Sequence, residues 1–152
     1  MIEMLGVLAI VGVLSVGGLA GYAKAMRTIQ ANEIAQYIEK LEMEYKTQSV
    51  TGALTQIAYK KSCADFIGEP HPAGIDPNVK NDSYHGCNVE PANEWGTNRI
   101  YMILTSSKLY LELIDKFGYA CSAEKRAQLQ EGKRPYLQSY QLPNGKWITT
   151  CY

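Results

Sequence analysis

The chain has 152 residues, of which 15 are basic and 15 are acidic, so its formal net charge is zero. This balance argues against a uniformly basic nucleic-acid binder and an acidic disordered tail, and the length suits one domain or one domain with an appendage. Hydrophobic residues make up 46% of the chain and charged residues 20%, averages that conceal an uneven distribution.

The first segment is apolar throughout. Residues 4–23 contain no charged side chain, and as a helix rising about 1.5 Å per residue they span about 30 Å, the thickness of a bilayer core. A secretory signal peptide is disfavoured because no basic region precedes the run, which exceeds the usual length of about 7–15 residues. A buried core helix is disfavoured because no second such segment is present to pack against it. The segment is therefore predicted to be a single membrane-spanning helix.

The helix is predicted to continue beyond the apolar segment. Residues 24–48 contain neither glycine nor proline, and their apolar side chains recur at the steps that form one face of a helix: Met26, Ile29, Ile34, Tyr37, Ile38, Leu41 and Tyr45. Charged side chains occupy the other face. We expect one helix over residues 2–48, about 70 Å long, whose second half lies against a globular domain.

Residues 49–152 hold all six prolines and are interpreted as a globular head. The predicted elements are a short helix over 55–66 ending at Gly68, a long loop over 69–94, a strand over 100–105, a helix over 108–117 capped by Ser107 and ended by Gly118, and strands over 136–142 and 146–151. Asn144-Gly145 between the last two strands is typical of a β-hairpin. The expected fold class is α+β, in which helix halves covering residues 1–24 and 25–48 precede an antiparallel β-sheet packed on the second half.

Motifs for catalysis or ligand binding are weak. Two groups of side chains match ligand sets in residue type alone: Cys63, His71, His85 and Cys87 for zinc, and Asp76, Asn78, Asn81 and Asp82 for calcium. The first group lacks zinc-ligand spacing and the second lacks the glycine and terminal glutamate of an EF-hand. The chain contains no G-x-S-x-G, P-loop or paired-carboxylate pattern, and its basic pairs are typical of a solvated face. We therefore expect no enzyme activity, metal, cofactor or specific nucleic-acid partner.

The order of these features resembles a known family. Residues 2–14, with the sequence IEMLGVLAIVGVL, are similar to the N-terminal segment of mature type IV pilins and pseudopilins, where a lone glutamate opens an apolar run that continues into an amphipathic helix. Residues 93–100, with the sequence NEWGTNRI, are similar to an Asn-Pro-Trp-Gly-Gly-x-Ile stretch of type IVb pilins, although the proline and the second glycine are replaced.

The resemblance implies a route of export and assembly. A prepilin stands in the bacterial inner membrane, a prepilin peptidase removes a short basic leader, and the assembly machinery extrudes the methylated subunit into an extracellular filament. Glu3 corresponds to the family glutamate, which is usually fifth in the mature chain and pairs with the N-terminal ammonium of a neighbour, here assigned to Met1. Two opposite charges in an apolar filament core each need the other. Because the family's mid-helix proline is absent, Gly12, Gly17 and Gly18 are the expected points of helix flexibility.

Four cysteines lie in the part that the resemblance places outside the cytoplasm, where disulfides form. Four cysteines allow three connectivities. We favour Cys63–Cys87, which closes the proline-rich loop, and Cys121–Cys151, which is similar to the C-terminal disulfide loop of many pilins. Loops of about 25 and 31 residues correspond to about 3–4 kcal/mol each in the chain-entropy account of disulfide stabilisation.

The resulting hypothesis is a structural subunit of a type IV pilus, of the IVb kind, which forms a homopolymer with its apolar half-helices in the filament core. The first alternative is a pseudopilin of a type II secretion system, with the same fold and processing but a short filament. The second alternative is a membrane-anchored periplasmic enzyme or binding protein. Adhesion, motility, DNA uptake and conjugation all use filaments of this family.

Overall fold

A computed structural model describes residues 2–52, 60–79, 86–92 and 96–152 of the chain. A long N-terminal helix precedes a head that combines an antiparallel sheet with shorter helices, which is an α+β arrangement. In chain order the elements are α1 (Ile2–Thr51), β1 (Lys61–Ser62), α2 (Cys63–Ile67), β2 (Cys87–Glu90), β3 (Arg99–Met102), α3 (Ser107–Phe117), α4 (Ala123–Gln130), β4 (Leu137–Gln141) and β5 (Trp147–Cys151).

Helix α1 is continuous and ends at Thr51, three residues beyond its predicted end. Gly52 follows with a φ of 75°, the left-handed conformation that commonly ends helices. The second half of α1 is buried along one stripe, formed by Ala31, Ile34, Ala35, Tyr37, Ile38, Leu41 and Tyr45. The predicted amphipathic face is thereby confirmed from Ile34 onward, whereas Ile29 is 49% exposed because it lies off the buried stripe, between the partly buried Thr28 and Gln30.

In the described part of the chain, five strands form one sheet in the order β1-β2-β3-β4-β5, with every neighbouring pair antiparallel. Successive side chains of a strand point to opposite faces of a sheet. Val89, Ile100 and Leu137 lie on the inner face and are buried in a core that α1 and α3 complete. Asn88 and Tyr101 are paired across the outer face.

Tyr45 joins α1 to the head. Its ring centroid lies 4.8 Å from that of Phe66 and 5.2 Å from that of Trp147, and its hydroxyl donates to the backbone carbonyl of Arg99 at 3.0 Å. The side chain is almost completely buried, so its hydroxyl needs this partner. One aromatic residue thus connects α1 with α2, β3 and β5.

The segment predicted as a helix over residues 55–66 folds differently. Residues 53–59 lie outside the described part of the chain, Lys61–Ser62 form β1, and α2 covers only Cys63–Ile67 before the predicted stop at Gly68. The predicted helix is confirmed over residues 63–66 and is wrong at Lys61–Ser62, because β1 pairs with β2. Long-range pairing of this kind overrides local helix propensity.

The predicted loop over residues 69–94 contains a strand. Residues Cys87–Glu90 form β2, which pairs with β3 so that Val89 lies opposite Ile100. The strand is four residues long and lies between glycine and proline, so it has no alternating pattern long enough to be recognised. Its stability comes from its neighbours in the sheet, which local sequence does not reveal.

The boundaries around α3 also differ from the prediction. Strand β3 ends at Met102 rather than at residue 105. Beyond it Leu104 forms an isolated bridge with Ile75, and the carbonyl of Ile103 accepts from the N–H of Asp76 at 2.9 Å. The cap of α3 is Ser106 rather than Ser107: its side-chain hydroxyl accepts from the N–H of Leu109 at 3.3 Å. The predicted stop at Gly118 is confirmed, with a φ of 69°.

The C-terminal hairpin is confirmed. Strands β4 and β5 pair with Gln141 opposite Trp147, and the N–H of Leu142 donates to the carbonyl of Lys146 at 2.7 Å to close the turn. Helix α4 was not predicted, because among its side chains only Leu129 is fully buried and the rest lack an apolar stripe.

Candidate functional site

The apolar half of α1 is exposed on all sides. Its described large apolar side chains are 53–75% exposed: Met4, Val7, Leu8, Ile10, Val11, Val13, Leu14, Val16, Leu19 and Tyr22. Over Gly6–Thr51 the helix is long and apolar enough to cross a membrane, and the most apolar window, with a mean hydropathy of 1.9, is 0% buried. Apolar surface of this extent is unfavourable in water, so this half-helix requires lipid or other protein around it.

Five glycines interrupt this apolar surface: Gly6, Gly12, Gly17, Gly18 and Gly21. A Cβ atom built at any of them meets nothing within 4 Å, so no described contact inside the chain requires a small residue there. In water each costs a helix about 0.8–1.0 kcal/mol relative to alanine, whereas between apolar helices small residues allow close approach. Helix α1 is regular at all five, and the flexibility expected at Gly12, Gly17 and Gly18 stays a prediction.

The two residues predicted to act in assembly lie at the start of α1. Glu3 is in the first turn of the helix, where the dipole favours a negative charge. Met1 lies outside the described residues, and the pairing of its ammonium with Glu3 of a neighbour stays a prediction. The helix places Glu3 at the far end of the apolar half from the head.

Polar contacts to the head begin where the apolar half ends. The hydroxyl of Thr28 donates to Oε1 of Glu112 on α3 at 2.8 Å, and Nζ of Lys40 donates to Oε2 of Glu69 at 2.6 Å. With the buried stripe between them, these contacts hold the second half of α1 on the head. The apolar half is therefore a direct extension of a helix that the head holds in place.

Two disulfides cross-link the head, and they are the two pairs favoured from the sequence. Cys63–Cys87 joins the start of α2 to the start of β2 with Cα atoms 5.5 Å apart. Cys121–Cys151 joins the segment after α3 to β5 with Cα atoms 5.0 Å apart. The second bridge is reinforced by backbone hydrogen bonds between Ala120 and β5.

The side chains considered as ligands for zinc or calcium form other interactions in the described part of the chain. Cys63 and Cys87 form a disulfide, and among the described residues no group of three or more His, Cys, Asp or Glu side chains is placed to hold an ion. Asp76 accepts from the N–H of Asn78 at 3.0 Å and from Arg134 at 2.5 Å, and these bonds lower the pKa of its carboxyl. His85, Asn81 and Asp82 lie outside the described residues.

A groove that the sequence did not predict runs between α1 and β5. Its volume is about 470 Å³, and Glu39 and Glu42 line its α1 side. Burial raises the pKa of Glu42 to about 7, and the charge of Glu39 adds to the effect. Burial, Glu42 and Glu39 together raise the pKa of Tyr119 to about 12. The three-residue spacing of the two glutamates places them on one helix face, but the rest of the groove comes from residues distant in the sequence, so local sequence does not reveal it.

We expect Glu42→Gln to stabilise the chain at pH 8 and to leave its stability nearly unchanged below about pH 4. The pKa of this carboxyl rises from 4.5 to about 7 on folding, so the folded state binds the proton more tightly and loses stability as pH rises between these values. Urea unfolding of the full chain in detergent, followed by near-ultraviolet circular dichroism, measures the difference. Glu33→Gln, at an exposed position of α1, is the matched control. A gain in stability that is the same at every pH would contradict the assignment.

Comparison of the chain with protein-family models, with curated proteins and with solved structures finds no match. Function is therefore inferred from the residues and their geometry. The strongest indication of function is the exposed apolar surface of the first half of α1, because it needs an apolar partner that the described head does not supply.

Proposed function

We propose that the chain is a structural subunit of a type IV pilus, of the IVb kind, which polymerises through its N-terminal helix into an extracellular filament. The observation that carries the proposal is the exposed apolar half of α1, joined without a break to a half that is buried against the head. A helix that serves only as a membrane anchor needs only to cross the bilayer. A rigid helix running into the head also fixes the head relative to whatever surrounds the apolar half.

The same apolar surface serves before and after assembly. In the inner membrane it contacts lipid chains, and in the filament it contacts the equivalent helices of neighbouring subunits. Because both surroundings are apolar, extraction from the bilayer into the filament loses little hydrophobic free energy. The five glycines favour the second state, since they permit helices to approach closely without a loss of packing inside the subunit.

Glu3 sets the axial position at which a new subunit joins the filament. In an apolar filament core its carboxylate is costly unless a positive charge lies beside it, and the N-terminal ammonium of a neighbouring subunit supplies that charge. A misplaced subunit leaves both charges unpaired, so the pair selects one axial position. The head, stapled by two disulfides, faces outward and suits conditions outside the cell.

The test is the yield of filaments from cells that carry the assembly machinery. We expect the unsubstituted chain to appear in filaments sheared from the cell surface, and Glu3→Ala to lower that yield at least tenfold while the subunit still accumulates in the inner membrane. Glu33→Ala is the matched control, because it removes an exposed glutamate from the second half of α1. Immunoblots of the sheared and membrane fractions, with electron microscopy, measure both outcomes.

Two results would contradict the proposal in different ways. Normal filament yield from Glu3→Ala would remove the role of the charge pair while leaving the filament intact. Absence of the unsubstituted chain from surface filaments, with short periplasmic assemblies in their place, would favour the pseudopilin alternative.

A further inference from the structure

A small pocket lies on the outer face of the sheet, opposite α1. Its volume is about 130 Å³ and it is lined by Lys60, Asn88, Glu90, Tyr101, Tyr136 and Tyr152. The strand register brings these side chains together: Asn88 pairs with Tyr101, and the N–H of Tyr152 donates to the carbonyl of Tyr136 at 2.8 Å. Residues distant in the sequence thus form one concave site, away from the surface assigned to assembly.

Three tyrosine rings form the aromatic side of the pocket. The ring of Tyr101 lies edge-to-face with that of Tyr136 at a centroid distance of 6.3 Å and with that of Tyr152 at 6.4 Å. The hydroxyl of Tyr101 accepts from Arg99 at 3.2 Å and from Gln138 at 3.1 Å. These two donors hold the central ring in place, so the aromatic surface is present before any ligand arrives.

The polar side of the pocket contains one carboxylate and one ammonium, which form an ion pair, and a second cation lies beside it. The carboxylate of Glu90, only 10% exposed, accepts from Nζ of Lys60 at 2.7 Å, and Asn88 adds an amide beside them. Arg99 lies nearby at the Tyr101 hydroxyl. Because two cations outnumber the one carboxylate, the site does not favour a cationic ligand. An aromatic cage that lacks such cations would favour one. It offers a carboxylate, an ammonium and an amide as hydrogen-bonding groups to an uncharged ligand.

We propose that this pocket binds a single pyranose ring of a carbohydrate. One face of a pyranose presents C–H groups, which pack on the electron-rich faces of aromatic rings, while its rim presents hydroxyls that both donate and accept. The three tyrosines match the first requirement, and Glu90, Lys60 and Asn88 match the second. At about 130 Å³ the pocket is smaller than a typical ligand cleft of about 300–1,000 Å³, so it receives one face of a single ring and leaves the rest of a glycan outside. The site functions whether or not the chain forms filaments.

The proposal is tested by titrating the full chain with simple sugars. The probes are methyl β-D-glucopyranoside, methyl β-D-galactopyranoside, methyl α-D-mannopyranoside and N-acetyl-D-glucosamine, with binding measured by saturation-transfer difference NMR. The chain is held in a polyoxyethylene detergent, whose head group contains neither a sugar nor a quaternary ammonium. We expect at least one sugar to bind, and Tyr136→Ala or Tyr152→Ala to raise its Kd about threefold to tenfold.

The matched control is Tyr140→Ala, which removes a tyrosine from β4 on the outer face of the sheet without touching the lining of the pocket. We expect it to leave the Kd unchanged. Tyr152 is 65% exposed, so its replacement keeps the test valid even if Tyr136→Ala disturbs folding. The proposal is overturned if none of the four sugars binds, if Tyr152→Ala binds as tightly as the unsubstituted chain, or if Tyr140→Ala weakens binding equally. Binding of tetramethylammonium in place of the sugars would also overturn it.

Discussion

Replacing Gly86 by alanine is expected to lower the free energy of unfolding by about 2–5 kcal/mol. Gly86 has a φ of 77°, a left-handed conformation that costs a residue with a Cβ about 1–2 kcal/mol. A Cβ atom at this position would also overlap the carbonyl oxygen of Asp76, a backbone atom. Forcing an extra carbon into such a site adds about 1–3 kcal/mol.

The backbone around Gly86 has little freedom to relieve the overlap. The N–H of Asp76 donates to the carbonyl of Ile103 at 2.9 Å, and the N–H of Ile103 donates to the carbonyl of Gly86 at 2.8 Å. Movement of Asp76 away from a new Cβ therefore strains both bonds. Because Gly86 directly precedes β2, we expect the loss to reach the pairing of β2 with β3.

Gly68→Ala is the matched control for Gly86→Ala. Gly68 has nearly the same φ, 73°, but a Cβ there meets nothing within 4 Å. We therefore expect it to cost only the conformational part, about 1–2 kcal/mol. Urea unfolding of both variants in the same detergent separates the two contributions. Equal losses in the two variants would mean that the close approach to Asp76 contributes nothing.

The contrast between these glycines shows what local sequence can and cannot predict. Gly68 and Gly118 were recognisable as helix stops because the signal lies in the few residues that precede them. Gly86 carries no such signal, since its constraint comes from Asp76, ten residues away in the chain and adjacent only in the fold. The hairpin at Asn144-Gly145 and the stripe on α1 were predictable for the same local reason as the helix stops.

The candidate sites divide in the same way. The apolar half of α1 was predictable because a continuous segment carries its whole signal. The tyrosine pocket was not, because Tyr101, Tyr136 and Tyr152 come together only through the register of strands β3 and β4 and the pairing beyond β5. The sequence contains eleven tyrosines and does not show which three share a site.

The second large effect is expected from the Cys63–Cys87 disulfide. Replacing both cysteines by alanine is expected to lower the free energy of unfolding by about 3–5 kcal/mol, more than the same replacement at Cys121 and Cys151. The two bridges close loops of similar length, with sequence separations of 24 and 30, so the entropic loss is nearly equal and slightly favours the second bridge. The difference in burial between the two bridges therefore decides which replacement costs more free energy of unfolding.

Both cysteines of the first bridge are 0% exposed, whereas Cys121 and Cys151 are only half-buried. Loss of the buried sulfurs removes core contacts between α2 and β2 and leaves a void, which adds to the entropic cost. Both bridges have backbone pairing beside them, because β1 pairs with β2 next to Cys63–Cys87 and Ala120 forms two backbone hydrogen bonds with β5 next to Cys121–Cys151. Burial therefore remains the difference between them.

The measurement is urea unfolding of the two double variants without reductant, in the detergent used for the unsubstituted chain. Mass spectrometry of each protein, before and after alkylation, verifies that the remaining bridge is formed. A larger loss from Cys121→Ala with Cys151→Ala would show that loop length outweighs burial. In that case the sheet edge at β5, rather than the core between α2 and β2, would be the part of the head that depends most on its disulfide.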